Sequence, residues 1–288
     1  MKRPLRIIET SIPHATAEGT LKAAMDLPDQ IASYGFNTVF ILPWMKVDLN
    51  LSRSPYAITD YTQLNERVGV IKDAQNWIAR CRQAGLNVVL DMPLNHTSPN
   101  HPWTSNTGWY ALDKDGNKCS PAATSWTDVV QLNHSEPLVC DAGEKVLRFW
   151  LELGVGGFRF DAASFIPDTV LQKWIDELKK IANHELLLWC DGEEYFNSHP
   201  IFNGFLHHEA FRLAKNNVLE WESLVKNTAS KGIFYLTNHD TLHLGKSPFD
   251  EWLGSYRLMR EILESSSQNT LFSWSDWQNP SGSYSFML

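Results

Sequence analysis

Short apolar runs recur along the whole chain, with segments of helical periodicity between them. This alternation is typical of a parallel sheet whose strands are joined by crossover helices. The predicted strands are RIIET near Arg6, TVFIL from Thr38, NVVLD from Asn87, GGFRFD from Gly156, ELLLWC from Glu185, GFLHH near Gly204, GIFYLTNHD from Gly232 and NTLFSW from Asn269. Eight strands with intervening helices predict an α/β fold, the (β/α)8 or TIM barrel, whose chemistry lies on the loops after the strands.

Helical segments are predicted between the runs, and those near Lys22 and Lys173 show the apolar spacing of three and four expected of outer barrel helices. The predicted segments cover 21–34, 71–83, 138–153, 169–182, 210–227 and 248–265. Two connections are long, 43–70 and 97–137, and a long insertion on the loop face usually builds a wall or a lid. We expect one domain over 1–288, since a chain of this length can bury one large core, with 97–137 as a short inserted subdomain after the third strand.

Charge and cysteine usage exclude several classes of protein. The formal net charge of −8 provides no basic field for nucleic acid. No apolar stretch reaches the length of a signal peptide or a membrane span, so we expect a cytoplasmic protein that binds no membrane. The four cysteines form no CxxC pair, which predicts reduced thiols and no metal site.

The fourth apolar run continues into GGFRFDAASF, where Arg159 stands two places before Asp161. Residues two apart on a strand project to the same side, so the two side chains are predicted to form a charge-assisted pair. A neighbouring cation lowers the pKa of a carboxylate and fixes its rotamer, which suits a carboxylate nucleophile. A structural salt bridge would have the same sequence signature, so other carboxylates must decide between the two interpretations.

Three further strand ends carry polar groups that complete a candidate site. The third strand runs into DMPLNH with Asp91, Asn95 and His96, the fifth into WCDGEE with Asp191, Glu193 and Glu194, and the seventh into LTNHD with Asn238, His239 and Asp240. The carboxyl ends of barrel strands meet at one mouth, where packing alone would not gather like charges. The pattern therefore predicts an active site built from carboxylates.

In their order and spacing, the motifs DxxxNH, GFRxD, GE and NHD resemble those of the alpha-amylase family of retaining α-glycoside hydrolases and transglycosylases. The resemblance implies that Asp161 is the nucleophile, Glu193 the general acid/base and Asp240 the carboxylate that stabilises the transition state. It also implies substrate-binding roles for Tyr56, His96, Arg159, His239 and Phe165. Arg159 would orient the nucleophile, and Tyr56, from SPYAITDY, would stack on the sugar at the cleavage subsite.

The chemistry of retention agrees with this assignment. One carboxylate attacks while a carboxylic acid about 5–5.5 Å away protonates the leaving oxygen. Glu193 must therefore be protonated, and burial beside Trp189 and Tyr195, together with nearby carboxylates, would raise its pKa. Glu194 is the alternative for the acid role.

Two departures from the family pattern refine the expectation. Members that cut starch internally often have Lys and His after the nucleophile, where this chain has Ser164 and Phe165, and DAASF is more similar to members that act on small sugars or transfer glucosyl units. We therefore expect a short α-glucoside or oligosaccharide as substrate. We expect no cofactor: Asn95 matches one ligand of the family's calcium site, but with so short an insertion it is predicted to be an orienting hydrogen bonder.

The second departure is the abbreviated C-terminal end. After TLFSWSDW the chain runs only to Leu288, too short for the family's last helix and C-terminal β-sandwich. The outer faces of the first and eighth strands are then expected to need cover. A homodimer is predicted, with coverage by the C-terminal segment from Trp274 to Leu288 as the alternative.

Two other functions are compatible with the same residues. A sugar isomerase of the same family would use the three carboxylates to cleave and re-form the bond without release. A non-catalytic carbohydrate-binding or protein-interaction relative would keep the barrel, although such relatives typically lose catalytic carboxylates and this chain retains all three.

Overall fold

The barrel is closed and parallel. The structure, a computed structural model, describes residues 3–191, 201–227, 231–242, 252 and 255–279. Its barrel strands are β1 (Arg6–Thr10), β2 (Thr38–Ile41), β5 (Asn87–Met92), β8 (Gly157–Phe160), β9 (Leu187–Cys190), β10 (Gly204–Leu206), β11 (Gly232–Tyr235) and β12 (Asn269–Ser273). They follow one another around the barrel in chain order, and β12 pairs with β1 to close it. The prediction of an eight-stranded barrel is confirmed.

The strands are buried on both faces, which explains their nearly continuous apolar sequences. All four residues of β2 and of β8 are buried. Gly157 is required where β8 meets β9, because a Cβ at this position would lie 1.9 Å from the carbonyl oxygen of Leu187. This close approach sets Arg159 opposite Trp189 in the register of the two strands.

The outer helices agree with the predicted segments, with two differences. The α-helices within the described residues are Ile12–Ala15, Leu27–Ser33, Ile71–Gln83, Pro137–Glu152, Asp168–Ile181, His208–Asn216, Val218–Asn227, His239–Leu242, Tyr256–Ser265 and Trp274–Gln278. The predicted helix over 210–227 is divided at Asn217, whose side chain accepts a hydrogen bond from the Glu220 amide and so caps the second half. The predicted helix over 248–265 is described from Tyr256 onward.

The two long connections pair with themselves and with each other. β3 (Met45–Val47) and β4 (Ile58–Leu64) form an antiparallel ribbon after β2, and β6 (His96–Thr97) pairs with β7 (Val130–Gln131) after β5. The Ser98 amide donates to the Ile58 carbonyl at 2.9 Å, which joins the two connections. Together the two connections form a wall on one side of the barrel mouth.

A short helix, Trp274–Gln278, follows β12 and corrects the expectation of an uncovered end. The Trp277 ring lies 4.8 Å from Phe36 and 5.5 Å from Phe272, centroid to centroid, and the Arg260 guanidinium stacks 3.7 Å from its centre. The seam between β1 and β12 is thus partly covered within the described residues, because a single large aromatic ring spans it. The homodimer stays a prediction, and residues 280–288 lie outside the described part of the chain.

Within the described ranges, no helix has both the length and the apolar character needed to cross a bilayer.

Replacing Trp277 by alanine should lower the free energy of unfolding by about 2 kcal/mol, because the half-buried indole packs across the seam. Urea denaturation measures this loss. The control is Leu258→Ala, which truncates an apolar side chain that is 58% exposed and should cost less than about 0.5 kcal/mol. Equal losses in the two variants would contradict the role given to Trp277.

Candidate active site

A cavity of about 470 Å³ opens at the carboxyl ends of the barrel strands. All seven predicted site residues that fall within the described ranges line it: Tyr56, His96, Arg159, Asp161, Phe165, His239 and Asp240. Eight further residues line it, and these are Ser54, Trp126, Asp128, Val129, Ala162, Ser164, Asp191 and His208. Of these, Asp191 stands in the predicted strand-end motif WCDGEE. A larger cavity, of about 590 Å³, lies at the amino ends of β5 and β8, on the face of a barrel that serves stability rather than chemistry.

Arg159 is the centre of the polar network at the floor of the cavity. Its Nη1 donates to both oxygens of Asp91 at 2.8 Å and to Asp161 Oδ1 at 2.9 Å, and its Nη2 donates to Asp191 Oδ1. The predicted pair of Arg159 and Asp161 is present. The guanidinium is almost fully buried, so its donors form a rigid fork that holds carboxylates from three strands in one arrangement.

The protonation of Asp161 differs from the expectation. Burial raises the pKa of Asp161 to about 8, Arg159 acts in the opposite direction, and the neighbouring carboxylates Asp191 and Asp91 add to the rise. From the sequence, only Arg159 was expected to act on this pKa, and a neighbouring cation lowers it. One guanidinium shared by three carboxylates does not offset their mutual repulsion and the loss of water.

His239 lies between two carboxylates, one of which sequence reasoning missed. Its Nδ1 is 2.7 Å from Glu9 Oε1 and its Nε2 is 3.6 Å from Asp240 Oδ1. Burial opposes the charged ring, but Asp240 and Glu9 outweigh it and raise the pKa of His239 to about 9. His239 is therefore a cation at neutral pH. Glu9 could have been identified from the sequence, because it stands inside the apolar first strand, where a buried charge needs a partner.

Tyr56 and His96 line the same cavity in different chemical states. The Tyr56 hydroxyl donates to Asp91 Oδ2 at 2.8 Å, and its ring lies 6.1 Å from that of His239. Burial lowers the pKa of His96 to about 4, so its ring is neutral and can both donate and accept. A polar sugar ring at this position would meet one cationic and one neutral imidazole.

Aromatic rings form one side of the cavity. Trp126, from the long insertion, lies 5.4 Å from His96 and 6.5 Å from Phe165, between ring centroids. It is 39% exposed, although exposed tryptophan is unusual outside binding surfaces. No motif identified Trp126, since a long loop does not reveal which of its aromatic residues turns inward.

The predicted acid Glu193, its alternative Glu194 and the neighbouring Tyr195 lie outside the described residues. Trp189, which was expected to help bury the acid, is itself buried in the barrel, with its ring 5.7 Å from that of Phe40.

Asn95 does not complete a metal site in the described part of the chain. Its backbone carbonyl accepts from the Leu132 amide at 2.9 Å, and its buried side-chain Oδ1 has no hydrogen-bond partner among the described residues. One such oxygen is too little for calcium, which takes six to eight oxygen ligands. The described residues contain no group of three or more His, Cys, Asp or Glu side chains placed to hold a metal ion.

A barrel whose mouth gathers carboxylates around one arginine is a site for carboxylate chemistry, and part of the chain matches a known family model. Residues 10–118 match the sequence model described as "Alpha amylase, catalytic domain". The chain is 26% identical over 206 residues to Alpha-amylase 3 of Dictyoglomus thermophilum, covering 64% of this chain and 41% of that protein. Over these residues the chain is similar to the alpha-amylase family.

Two other relatives have different names. The chain is 27% identical over 182 residues to the amino acid transporter heavy chain SLC3A1 of Rattus norvegicus, covering 51% of this chain and 26% of the relative. It is 27% identical over 183 residues to a salivary alpha-glucosidase of Anopheles gambiae, covering 51% and 30%. The chain thus spans less than half the length of the curated relatives it matches.

The fold has close counterparts among solved structures. An alpha-amylase from Lactobacillus plantarum superposes with a TM-score of 0.80 at 19% identity, covering 94% of this chain and 70% of that one. At this identity the likeness concerns the barrel fold and not the activity.

Glu9→Gln should lower the pKa of His239, because one of the two carboxylates that favour the charged ring is removed. NMR titration of the imidazole Cε1–H signal, assigned with a His239→Gln variant, measures the shift. Asp141→Asn, which removes an exposed carboxylate paired with Lys173, should leave that titration unchanged. An unaltered pKa in Glu9→Gln would refute the pairing.

Proposed function

We propose that this chain is a retaining α-glycosidase or transglucosidase that acts on short α-glucosides through a covalent glycosyl-enzyme. The observation that carries the proposal is the arrangement of Asp161 at the floor of the cavity, with Arg159 at 2.9 Å and the cationic His239 lining the same space. A nucleophilic carboxylate needs a fixed rotamer and a cavity that admits the sugar, and this site supplies both.

The reaction follows from the roles of the carboxylates. Asp161 attacks the anomeric carbon while Glu193 gives its proton to the leaving oxygen, so that the glycosidic C–O bond breaks as the ester bond to Asp161 forms. Water or a sugar hydroxyl then attacks the same carbon, returns its proton to Glu193 and releases Asp161. Asp240 and His239 face the sugar, where a carboxylate stabilises the positive charge that develops on the ring.

The closed wall on one side of the cavity supports a short substrate. Ser52 Oγ donates to Asp128 Oδ2 and Asn100 Nδ2 donates to Asp48 Oδ2 at 2.7 Å, so the two long connections are joined beside the cavity. A volume of about 470 Å³ suits a small ligand, whose pockets measure about 300–1,000 Å³. On this side the wall limits the length of the sugar chain that the cavity can hold.

The similarity to a transporter heavy chain favours a second function, a non-catalytic interaction protein. Non-catalytic relatives typically lose catalytic carboxylates, but here Asp161 and Asp240 line the cavity. Asp91 binds the Arg159 guanidinium beside them. An interaction surface does not require a buried arginine shared by three carboxylates, since such a network is costly to desolvate. We therefore favour the enzyme. A sugar isomerase would differ only in retaining the released sugar as its acceptor.

Asp161→Asn should lower kcat on an aryl α-glucoside on the order of 10⁴-fold, because an amide cannot form the ester intermediate. The parent protein should release the α-anomer first, as observed by NMR within the first turnovers. Asp141→Asn is the matched control and should keep parental kcat, since this carboxylate is exposed and remote from the cavity. Parental activity in Asp161→Asn, or β-anomer as the first product, would contradict the proposal.

The parent should act on di- and trisaccharides with a kcat/KM roughly tenfold or more above that on soluble starch, because the joined connections close one side of the cavity. Ser52→Ala removes the hydrogen bond to Asp128 and should lower the ratio of the two kcat/KM values. Ser105 lies in the 97–137 insertion with Asp128, and its exposed hydroxyl bonds only to Pro102 among the described residues. Ser105→Ala should therefore leave the ratio unchanged. A parent that prefers starch would rule out the short-substrate assignment.

A further inference from the structure

Asp191 has no role in the reaction described above, yet it contacts the nucleophile's surroundings twice. It directly follows β9, and its Oδ1 accepts from Arg159 Nη2 while its Oδ2 accepts from the Ala162 amide at 2.8 Å. Ala162 directly follows the nucleophile. One carboxylate therefore binds both the cation that orients Asp161 and the peptide group at its C-terminal side.

The backbone at Ala162 gives this second contact its significance. Ala162 has φ 50° and ψ 35°, a left-handed conformation that residues other than glycine and asparagine rarely adopt. The next residues, Ala163–Phe165, form a short 3-10 turn that leads the chain away from the strand. The hydrogen bond from the Ala162 amide to Asp191 stabilises this turn, which otherwise opposes the preference of an alanine.

We propose that Asp191 is a positioning residue for the nucleophile: it holds the Arg159 guanidinium and the left-handed turn after Asp161 in one arrangement. The inference rests on the proposed function. Through these bonds Asp191 also joins the end of β9 to the residues that follow β8. In the sequence, Glu193 stands two residues after Asp191.

Electrostatics provides a readout that a purely structural role would not move. The groups that face Asp161 are Arg159 on its own strand, Asp91 on β5, Asp191 after β9, His239 after β11, and Tyr56 from the wall. Asp240 lines the cavity, and Glu193 lies outside the described residues. Asp191 opposes ionisation of Asp161, so Asp191→Asn should lower the pKa of Asp161 and move the acid limb of kcat/KM to lower pH.

The experiment compares four variants with the parent on an aryl α-glucoside. Asp191→Ala should lower kcat about ten- to a hundredfold with little change in KM, because the nucleophile loses its alignment. Asp191→Asn should keep more of kcat, since an amide oxygen can still accept from Ala162, and should show the shifted acid limb. Adding Ala162→Gly to Asp191→Ala should recover part of kcat, because glycine adopts the left-handed turn without help. Asp141→Asn is the control.

Hydrogen exchange supplies an arm that needs no turnover. The Ala162 amide should be protected in the parent and in Asp191→Asn and should exchange faster in Asp191→Ala. Equal exchange in all three overturns the inference. So does an active parent whose kcat and acid limb are unchanged in Asp191→Ala and Asp191→Asn. A parent without glycosidase activity overturns the proposed function instead, and the exchange result then stands alone as the decision on whether Asp191 holds the turn.

Discussion

The site depends on one buried cation. Arg159 binds Asp91 from β5, Asp161 after β8 and Asp191 after β9, so a single guanidinium sets the relative positions of three neighbouring strand ends. Removing one partner of such a network leaves uncompensated charge in a dry interior, which is far more costly than removing a surface ion pair. The same cation also limits how many negative charges the mouth can carry. Burial, together with repulsion from Asp191 and Asp91, raises the pKa of Asp161 although Arg159 acts in the opposite direction.

The mouth therefore combines two electrostatic environments. Around Asp161 the carboxylates exceed the cations, and proton binding is favoured. Around His239 the two flanking carboxylates keep the imidazole charged. In the proposed reaction, the first environment would stabilise the positive charge that develops on the sugar, and the sugar's hydroxyl oxygens would accept hydrogen bonds from His239 in the second. Asp91, Asp161 and Asp191 of the first environment lie at the ends of neighbouring strands, and Glu9 and His239 of the second are buried.

Much of this architecture could be predicted from the sequence, since each barrel strand is a short apolar run and each polar motif follows one directly. The barrel, its strand order and the convergence of Asp161, His239 and Asp240 follow from that periodicity and from the geometry of parallel strands. The features that could not be predicted depend on contacts between distant segments. Glu9 reaches its partner His239 only after β1 has paired with β12. Trp126 reaches His96 only after its loop has folded inward. The short helix Trp274–Gln278 was missed because a five-residue segment carries too little periodicity.

The closure of the barrel has a consequence for how the site comes into existence. β1 pairs with β12, and the Arg6 guanidinium binds the Leu263 carbonyl and the Thr270 hydroxyl at 2.9 Å, across more than 250 residues of chain. Contacts of such long sequence separation form late, because the loop entropy must be spent before they stabilise anything. The partnership of Glu9 and His239 spans 230 residues and lies beside this seam. A growing chain on the ribosome thus carries β1 without its β12 partner, and Glu9 without His239, until the last strands emerge.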